Sequence, residues 1–272
     1  MALADPDPDK ILLNIGCNKG HDSIAWLQLF DPQKQWSLEK WSQAVPKGVC
    51  KLDTQLPSPP SASQKSQGPI AVCVEAAPNN AKLLMEKRRQ FGYDSQGDPG
   101  SGSFQVIHAA AADEAAPGET IGFPDAPEGN ERAGLAFKKD WGLVQVPKET
   151  VDTLVEKLKL PRVDAMLVDT EGADPAVLRG SRKTLKTVRY LLFEVHRDIE
   201  GSHWAKETLL SVIEMLDAMG FDCYWAGKGG SVSSVTQCYE SKFEKAGWAN
   251  VVCAKRGDVW WTILEKRDPN SS

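Results

Sequence analysis

The chain has 272 residues, 41% hydrophobic and 25% charged, with a formal net charge of -5 and a pI near 5.5. This length is enough to bury a substantial core, and the acidic balance argues against a nucleic-acid partner, whose phosphates require a clustered basic surface. No apolar run approaches the roughly 18 residues of a membrane-spanning helix.

The first nine residues, Met-Ala-Leu-Ala-Asp-Pro-Asp-Pro-Asp, form neither a basic nor an apolar signal region, so no signal peptide is expected and the expected location is cytoplasmic. Lumenal placement is the alternative if the chain derives from a longer precursor. The six cysteines contain no C-x-x-C pair, which favours reduced thiols, with Cys50 and Cys238 as a loop pair in an oxidising compartment. Asn270-Ser-Ser matches a glycosylation sequon at the chain end.

Ile11 to Ile15 is an apolar run ending at glycine, and Ile24, Leu27 and Trp26 give the following segment, His21 to Phe30, a helical face. Residues 31–69 form an insertion whose second part, Pro57 to Gly68, is rich in proline and serine. Ile70 to Glu75 reads as a buried strand ending in an acid, Asn79 to Phe91 as a helix, and Phe104 to His108 as a third strand. Thr120 to Phe123 is a short strand candidate followed by a loop through Gly134. Val151, Leu154, Val155 and Leu158 stand at helical spacing before a strand at Val163 to Val168, and Ala173 to Leu185 continues as helix with Pro175 in its first turn. Val188 to Val195 is a buried strand. Leu209, Val212, Ile213, Leu216 and Met219 make an amphipathic helix stopped by Gly220. Phe221 to Trp225 and Trp248 to Ala254 are the last strands, flanking a loop over 226–247 placed on the acceptor side. The alternation predicts one α/β domain over 1–272, doubly wound around a mostly parallel sheet with an antiparallel terminal strand.

The loop after the first strand, Asn14-Ile-Gly-Cys-Asn-Lys-Gly20, decides which cofactor fits. The dinucleotide fingerprint would need glycine where Asn18 and His21 stand, and no Gly-Lys-Ser or Gly-Lys-Thr follows for a phosphate loop. An NAD-dependent oxidoreductase is disfavoured accordingly. Gly16 and Gly20 allow close backbone approach, and Asn18 suits a left-handed position. S-adenosylmethionine is a ligand without a pyrophosphate, and its ribose hydroxyls want an acid at the end of the next strand, where Glu75 stands. Asp113, just past the third strand, is a candidate for the adenine edge, with turn formation as the equal alternative.

The loop from Asn14, Glu75 with Pro78 after it, Val163 to Gly180, Phe193-Glu-Val-His196 and Trp248-Ala-Asn-Val251 occur in an order that resembles the FkbM-like S-adenosylmethionine-dependent methyltransferases. The resemblance spans roughly residues 11 to 255, and its most specific part is Val168-Asp-Thr-Glu-Gly-Ala-Asp174 with Leu178-Arg-Gly180. It implies a class I, Rossmann-like methyltransferase fold and methyl transfer to a hydroxyl of a carbohydrate or other small polar acceptor. Departures are Asn14 in place of a usual Asp, Asp174 in place of a usual Glu, and the insertion that separates Gly16 from Glu75.

Transfer to an unactivated hydroxyl needs the acceptor aligned and its proton removed, and Asp169, Glu171, Glu194 and His196 all stand at or just beyond strand ends. His196 is the natural base near neutral pH. The structural alternatives are loop hydrogen bonds for Glu194 and His196 and helix capping for Asp169 and Glu171. Hard cations also choose carboxylates, but the expected set holds no metal. Trp36, Trp41, Trp225 and Trp248 are candidates for stacking on a sugar, with core packing as the alternative. A hydrolase lacks G-x-S-x-G support. The functional expectation is therefore an O-methyltransferase with catalytic Glu194, His196, Asp169 and Glu171 and cofactor residues Asn14, Gly16, Asn18, Gly20, Glu75 and Asp113. Its alternative is a noncatalytic S-adenosylmethionine-binding sensor or scaffold.

Overall fold

The computed structural model describes residues 10–31, 35–47, 68–93, 102–134 and 141–269. Cys50, most of the Pro57 to Gly68 stretch and the Asn270 sequon lie outside the described residues. In chain order the elements are β1 (Ile11–Ile15), α1 (His21–Phe30), α2 (Leu38–Ala44), β2 (Ile70–Glu75), α3 (Pro78–Gln90), β3 (Ser103–His108), β4 (Ala110–Ala112), β5 (Thr120–Pro124) and β6 (Leu143–Thr150). They continue with α4 (Val151–Lys157), β7 (Ala165–Val168), α5 (Asp174–Arg179), β8 (Tyr190–His196), α6 (Leu209–Ala218), β9 (Phe221–Ala226), β10 (Val232–Ser234), β11 (Trp248–Lys255) and α7 (Val259–Glu265).

The chain forms two compact units. The first runs through Ala110 and also takes Pro117–Ala133 and the segment ending at Lys148; the second takes Ala111–Ala116 and the chain from Glu149 onward.

In the first unit β1, β2 and β3 are parallel, with Leu13 opposite Val72 and Cys73 opposite Val106. Every residue of β1 is buried, and so is β2 from Ala71 onward, which is why both read as continuous apolar runs rather than alternating ones. Ile24 and Leu27 of α1 are fully buried, and α3 begins with Pro78 at a position where its missing N–H costs nothing. β5 and β6 pair antiparallel, Ile121 against Val146.

In the second unit β7 and β8 are parallel, Val168 opposite Phe193. β11 then runs antiparallel to both β8 and β9, and β10 antiparallel to β9. The single antiparallel terminal strand expected from sequence is thus a group of three. A satellite core of Tyr224, Val232, Val252, Ala254 and Leu264 seats α7 on this group.

Three segments depart from the sequence reading for physical reasons. The seven residues of α2 bury only Leu38 and Trp41, too few to show a helical period. β6 leaves Leu143 70% exposed, Val144 37% exposed and carries Pro147, so its pattern imitates a loop. The helix expected to reach Leu185 stops at Gly180, which packs against the Ala112 carbonyl with no room for a Cβ, and resumes as a 3-10 turn at Thr184–Lys186. The 226–247 loop contains β10 and a 3-10 turn at Ser241–Lys245.

The expectation of reduced thiols is corrected by two disulfides, Cys17–Cys73 in the first unit and Cys223–Cys253 in the second. Each pair joins neighbouring segments: Cys17 follows β1 beside β2, and Cys223 faces Cys253 in register across β9 and β11. Cys238 is exposed and free, so it does not form the loop pair considered above. Among the described residues no helix is long and apolar enough to cross a membrane.

Candidate active site

The glycine loop of the first unit is built on three left-handed residues, Gly16 (φ 79°), Asn18 (φ 51°) and Gly20 (φ 75°). Asn18 occupies the position for which an amide side chain is the best substitute for glycine. Gly16 N–H donates to the Val74 carbonyl at 2.8 Å, tying the loop to β2, and Gly20 N–H donates to the Cys17 carbonyl at 2.7 Å. A Cβ on Gly20 would lie 2.8 Å from Leu84 Cδ2, so the residue is required by close packing as well as by its φ.

Glu75, at the end of β2, closes on this loop. Its Oε2 accepts from the Asn18 N–H at 2.7 Å and its Oε1 from the Ala77 N–H at 2.8 Å. Burial pushes its carboxyl up to about 7, against the opposing pull of these backbone donors. Two oxygens offer about four acceptor sites. The Asn18, Ala77 and Ala76 backbone donors use part of this capacity, and the remainder suits a ribose hydroxyl.

Asn14 is 3% exposed and its Nδ2 donates to Ser23 Oγ at 3.2 Å, an internal brace between β1 and α1. Asn18 Nδ2 donates to the Asn130 carbonyl at 3.2 Å, whereas Asn18 Oδ1 is buried without a hydrogen-bond partner. An unsatisfied buried acceptor costs free energy until a donor arrives. The α-ammonium of an amino-acid ligand is such a donor, and so the loop fits S-adenosylmethionine.

Residues 35–47 of the insertion buttress this loop. Trp41 Nε1 donates to the Lys19 carbonyl at 2.7 Å, and its fully buried ring meets Phe104 edge-on. Lys19, 2% exposed, forms an ion pair with Glu131. Trp36 and Trp41 are therefore core residues rather than sugar platforms.

The second unit gathers the acids. β7 delivers Asp169 and Glu171 into a loop where Glu171 has φ 53° and Gly172 φ 97°. β8 delivers Glu194 and His196 on one side of the strand, two residues apart. His196 Nδ1 lies 3.2 Å from Glu171 Oε2 and 3.3 Å from Glu194 Oε2. Glu194 is 4% exposed, and burial together with the neighbouring Asp174 and Glu171 pushes its carboxyl up to about 8, opposed by the Trp248 N–H that donates to it and by a carboxyl–carboxyl hydrogen bond shared with Asp169. The donor atoms of Glu171, Glu194 and His196 all lie within 4.8 Å of one another, a spacing that a shared proton or a hard divalent cation can satisfy.

Four supporting residues were not legible as such. Asp174 is fully buried, accepts from Thr170 Oγ1 at 3.1 Å and from the Glu194 N–H at 3.3 Å, and burial plus the charge of Asp169 raises its carboxyl to about 8. Ser202 Oγ bridges the His196 carbonyl at 2.8 Å and the Gly172 carbonyl at 3.2 Å. Trp204 Nε1 donates to the Glu194 carbonyl at 3.1 Å, and Trp248 Nε1 donates to Glu194 Oε1. Trp248 stood out in the sequence through the Trp-Ala-Asn-Val motif and as a stacking candidate, but not as a partner of Glu194.

Asp113 also belongs to the second unit, apart from the other five expected cofactor residues. Its Oδ2 accepts from Arg179 Nη2 at 3.1 Å. Partial burial would raise its carboxyl, but the bond and charge of Arg179 hold it below the usual range. The structure engages Asp113 as an ion-pair partner. The 226–247 loop, with Trp225 stacked on Phe243, lines a cavity of about 630 Å³ together with Ser233, Ser234, Cys238, Glu240 and Lys242.

No curated protein matches the chain. Among solved structures it is similar to precorrin-6y C5,15-methyltransferase from Geobacter metallireducens (10% identity, 93% of this chain and 82% of that one, TM-score 0.37). It is also similar to the human methyltransferase 10 domain containing protein (7%, 94% and 75%, TM-score 0.36) and to the StiE O-MT (8%, 98% and 78%, TM-score 0.38). At these TM-scores the likenesses bear on neither fold nor chemistry. The sequence model of the Methyltransferase FkbM domain is different in kind: it matches residues 52–223, which include Glu75, Asp113, Asp169, Glu171, Glu194 and His196 but not the glycine loop or Trp248. With more than half of its length matched, the chain belongs to the FkbM methyltransferase family.

Proposed function

We propose that the protein is an S-adenosylmethionine-dependent O-methyltransferase of the class I type, acting on a hydroxyl of a carbohydrate or another small polar acceptor. The cofactor residues are Asn14, Gly16, Asn18, Gly20 and Glu75, and the acceptor residues are Asp169, Glu171, Glu194 and His196. Asp113, held by Arg179, has a secondary role at most at the adenine edge.

The observation that carries this reading is the position of His196 Nδ1 between two carboxylate oxygens, 3.2 Å from Glu171 and 3.3 Å from Glu194. A carboxylate that accepts from Nδ1–H fixes the tautomer whose Nε2 is free to take a proton. S-adenosylmethionine held by the glycine loop and Glu75 would supply an electrophilic methyl group for the acceptor oxygen, with S-adenosylhomocysteine as the leaving product. His196 Nε2 takes the hydroxyl proton, and Glu171 and Glu194 stabilise the resulting imidazolium. Ser202, bonded to the His196 carbonyl, and Trp204, bonded to the Glu194 carbonyl, hold the strand end that carries both groups. Positioning of this kind and a general base, worth about 10²–10⁴-fold, divide the acceleration.

The test is transfer of a labelled methyl group from S-adenosylmethionine to a panel of hydroxyl acceptors by the native chain and by the double variant Glu194→Gln, His196→Asn. Turnover should fall by about 10²–10⁴-fold while S-adenosylhomocysteine binding persists. Equal turnover by the variant would remove the base assignment, and absence of transfer with intact cofactor binding would favour a noncatalytic binding module.

A further inference from the structure

We propose that Trp248 is the acceptor platform and the positioning residue for Glu194: its indole stacks on the C–H face of a neutral pyranose while its N–H aims the Glu194 carboxylate at His196. This rests on the methyl transfer proposed above and assigns the substrate class and one specificity-determining residue to the same site.

Trp248 opens β11 directly opposite His196 in the antiparallel register with β8. Its Nε1–H is committed to Glu194 Oε1, yet 59% of the side chain is exposed, and among the described residues no aromatic ring packs against it. The hydrogen bond alone does not require that exposure. Trp204 donates to the carbonyl of the same Glu194 while only 3% exposed and stacked on Phe193. One tryptophan therefore anchors Glu194 from inside the core, and the other anchors it from outside while presenting apolar surface to solvent. Exposed aromatic area forgoes burial free energy. An indole fixed by its edge also loses little freedom when a ligand covers it.

The neighbouring groups narrow the ligand. Asp169, Glu171 and Glu194 supply hydrogen-bond acceptors and disfavour an anionic acceptor, so phosphorylated compounds fit poorly. A pyranose offers both complements, hydroxyl donors for carboxylates and an axial C–H face for an indole. An open-chain polyol has the hydroxyls without the face. An amine would use the same ring by cation–π attraction and is the competing outcome.

The test compares the native chain with Trp248→Phe and Trp248→Ala, using methyl glucopyranoside, galactopyranoside and mannopyranoside, with sorbitol and ethanolamine as controls. Binding is followed by tryptophan emission and methyl transfer by labelled S-adenosylmethionine. A pyranoside should bind and accept methyl in preference to both controls, and Trp248→Ala should raise its KM by about 3–10-fold, the value of one lost ring contact. Trp248→Phe keeps the face but not the N–H, so it should restore most of the KM while moving the pH–rate limb of Glu194 to higher pH. S-adenosylhomocysteine affinity should be the same in all three chains. A KM indifferent to Trp248→Ala, or sorbitol or ethanolamine preferred over every pyranoside, would overturn the proposal. Pyranoside binding that depends on Trp248 without methyl transfer would leave the platform standing and contradict the methyltransferase reading, so the two failures are distinguishable.

Discussion

The backbone N–H of Asn18 donates to Glu75 Oε2 at 2.7 Å although 57 residues separate them. This single bond joins the glycine loop to the acid at the end of the neighbouring strand. The sheet makes it possible: Asn14 lies opposite Cys73 and Ile15 opposite Val74, so the chain leaving β1 reaches the end of β2 within three residues. Glu75 thus shapes the loop and also retains acceptor capacity for a ligand.

Glu75→Gln should separate these roles from mere bulk. The amide replaces one accepting oxygen with a donor facing a backbone N–H, leaving a buried group unsatisfied at a cost of about 1–3 kcal/mol. Denaturant unfolding should show that loss, and calorimetry should show S-adenosylhomocysteine affinity reduced about 10-fold or more. Native affinity in this variant would mean that Glu75 serves the loop alone.

Gly20→Ala tests the close approach at the start of α1. The new methyl would meet Leu84 Cδ2 at 2.8 Å on a backbone with φ 75°. Together these should cost about 1–3 kcal/mol, read as a lowered urea midpoint. Gly92→Ala has similar φ, 70°, but open space around the Cβ, and it should cost less.

Stability should decline as pH rises through the neutral range. Glu75 is raised to about 7 and Asp174 and Glu194 to about 8, so the folded chain holds these protons more tightly than the unfolded chain does. Their contribution is fully present below the ordinary carboxylate range near 4.5 and is lost as pH passes 7 to 8. Thermal melts between pH 5 and 9, about the span of these titrations, should show the fall, and Asp174→Asn should flatten it. A Tm constant across that span would contradict the burial of three carboxyl groups.

Activity should move the opposite way. Ionised Glu194, with Oε2 3.3 Å from His196 Nδ1, can accept from Nδ1–H and so leave Nε2 free, whereas protonated Glu194 can donate to Nδ1 and place the ring proton on the wrong nitrogen. The pH–rate profile should therefore rise with a limb near pH 8, and Glu194→Gln should abolish that limb. A profile lacking any Glu194-dependent limb would remove this residue from the proton path.

Much of the fold was legible because its carriers are long and periodic. β1, β2, α1 and the first turn of α6 fall where their apolar patterns place them, since each buries a continuous run or one helical face. The pairing of strand-end acids was legible in kind: Glu171, Glu194 and His196 do converge. What was not legible depends on contacts distant in sequence. Asp174 is read only as a departure from a usual Glu until the Glu194 backbone is seen to donate to it, and Trp248 is one of nine tryptophans until its N–H is found on Glu194. The cysteine pairs were missed because Cys17 meets Cys73, and Cys223 meets Cys253, only through strand pairing, with no spacing signature in the chain.

The most direct measurement is calorimetric titration of S-adenosylhomocysteine into the native chain, with Gly16→Val and Glu75→Ala as companions checked for folding by circular dichroism. Saturable one-site binding to the native chain, lost or strongly weakened in both folded variants, is the predicted result. A folded native chain that releases no binding heat and shows no shift in melting temperature with the ligand would contradict the assignment of Asn14 to Gly20 and Glu75 as the cofactor site.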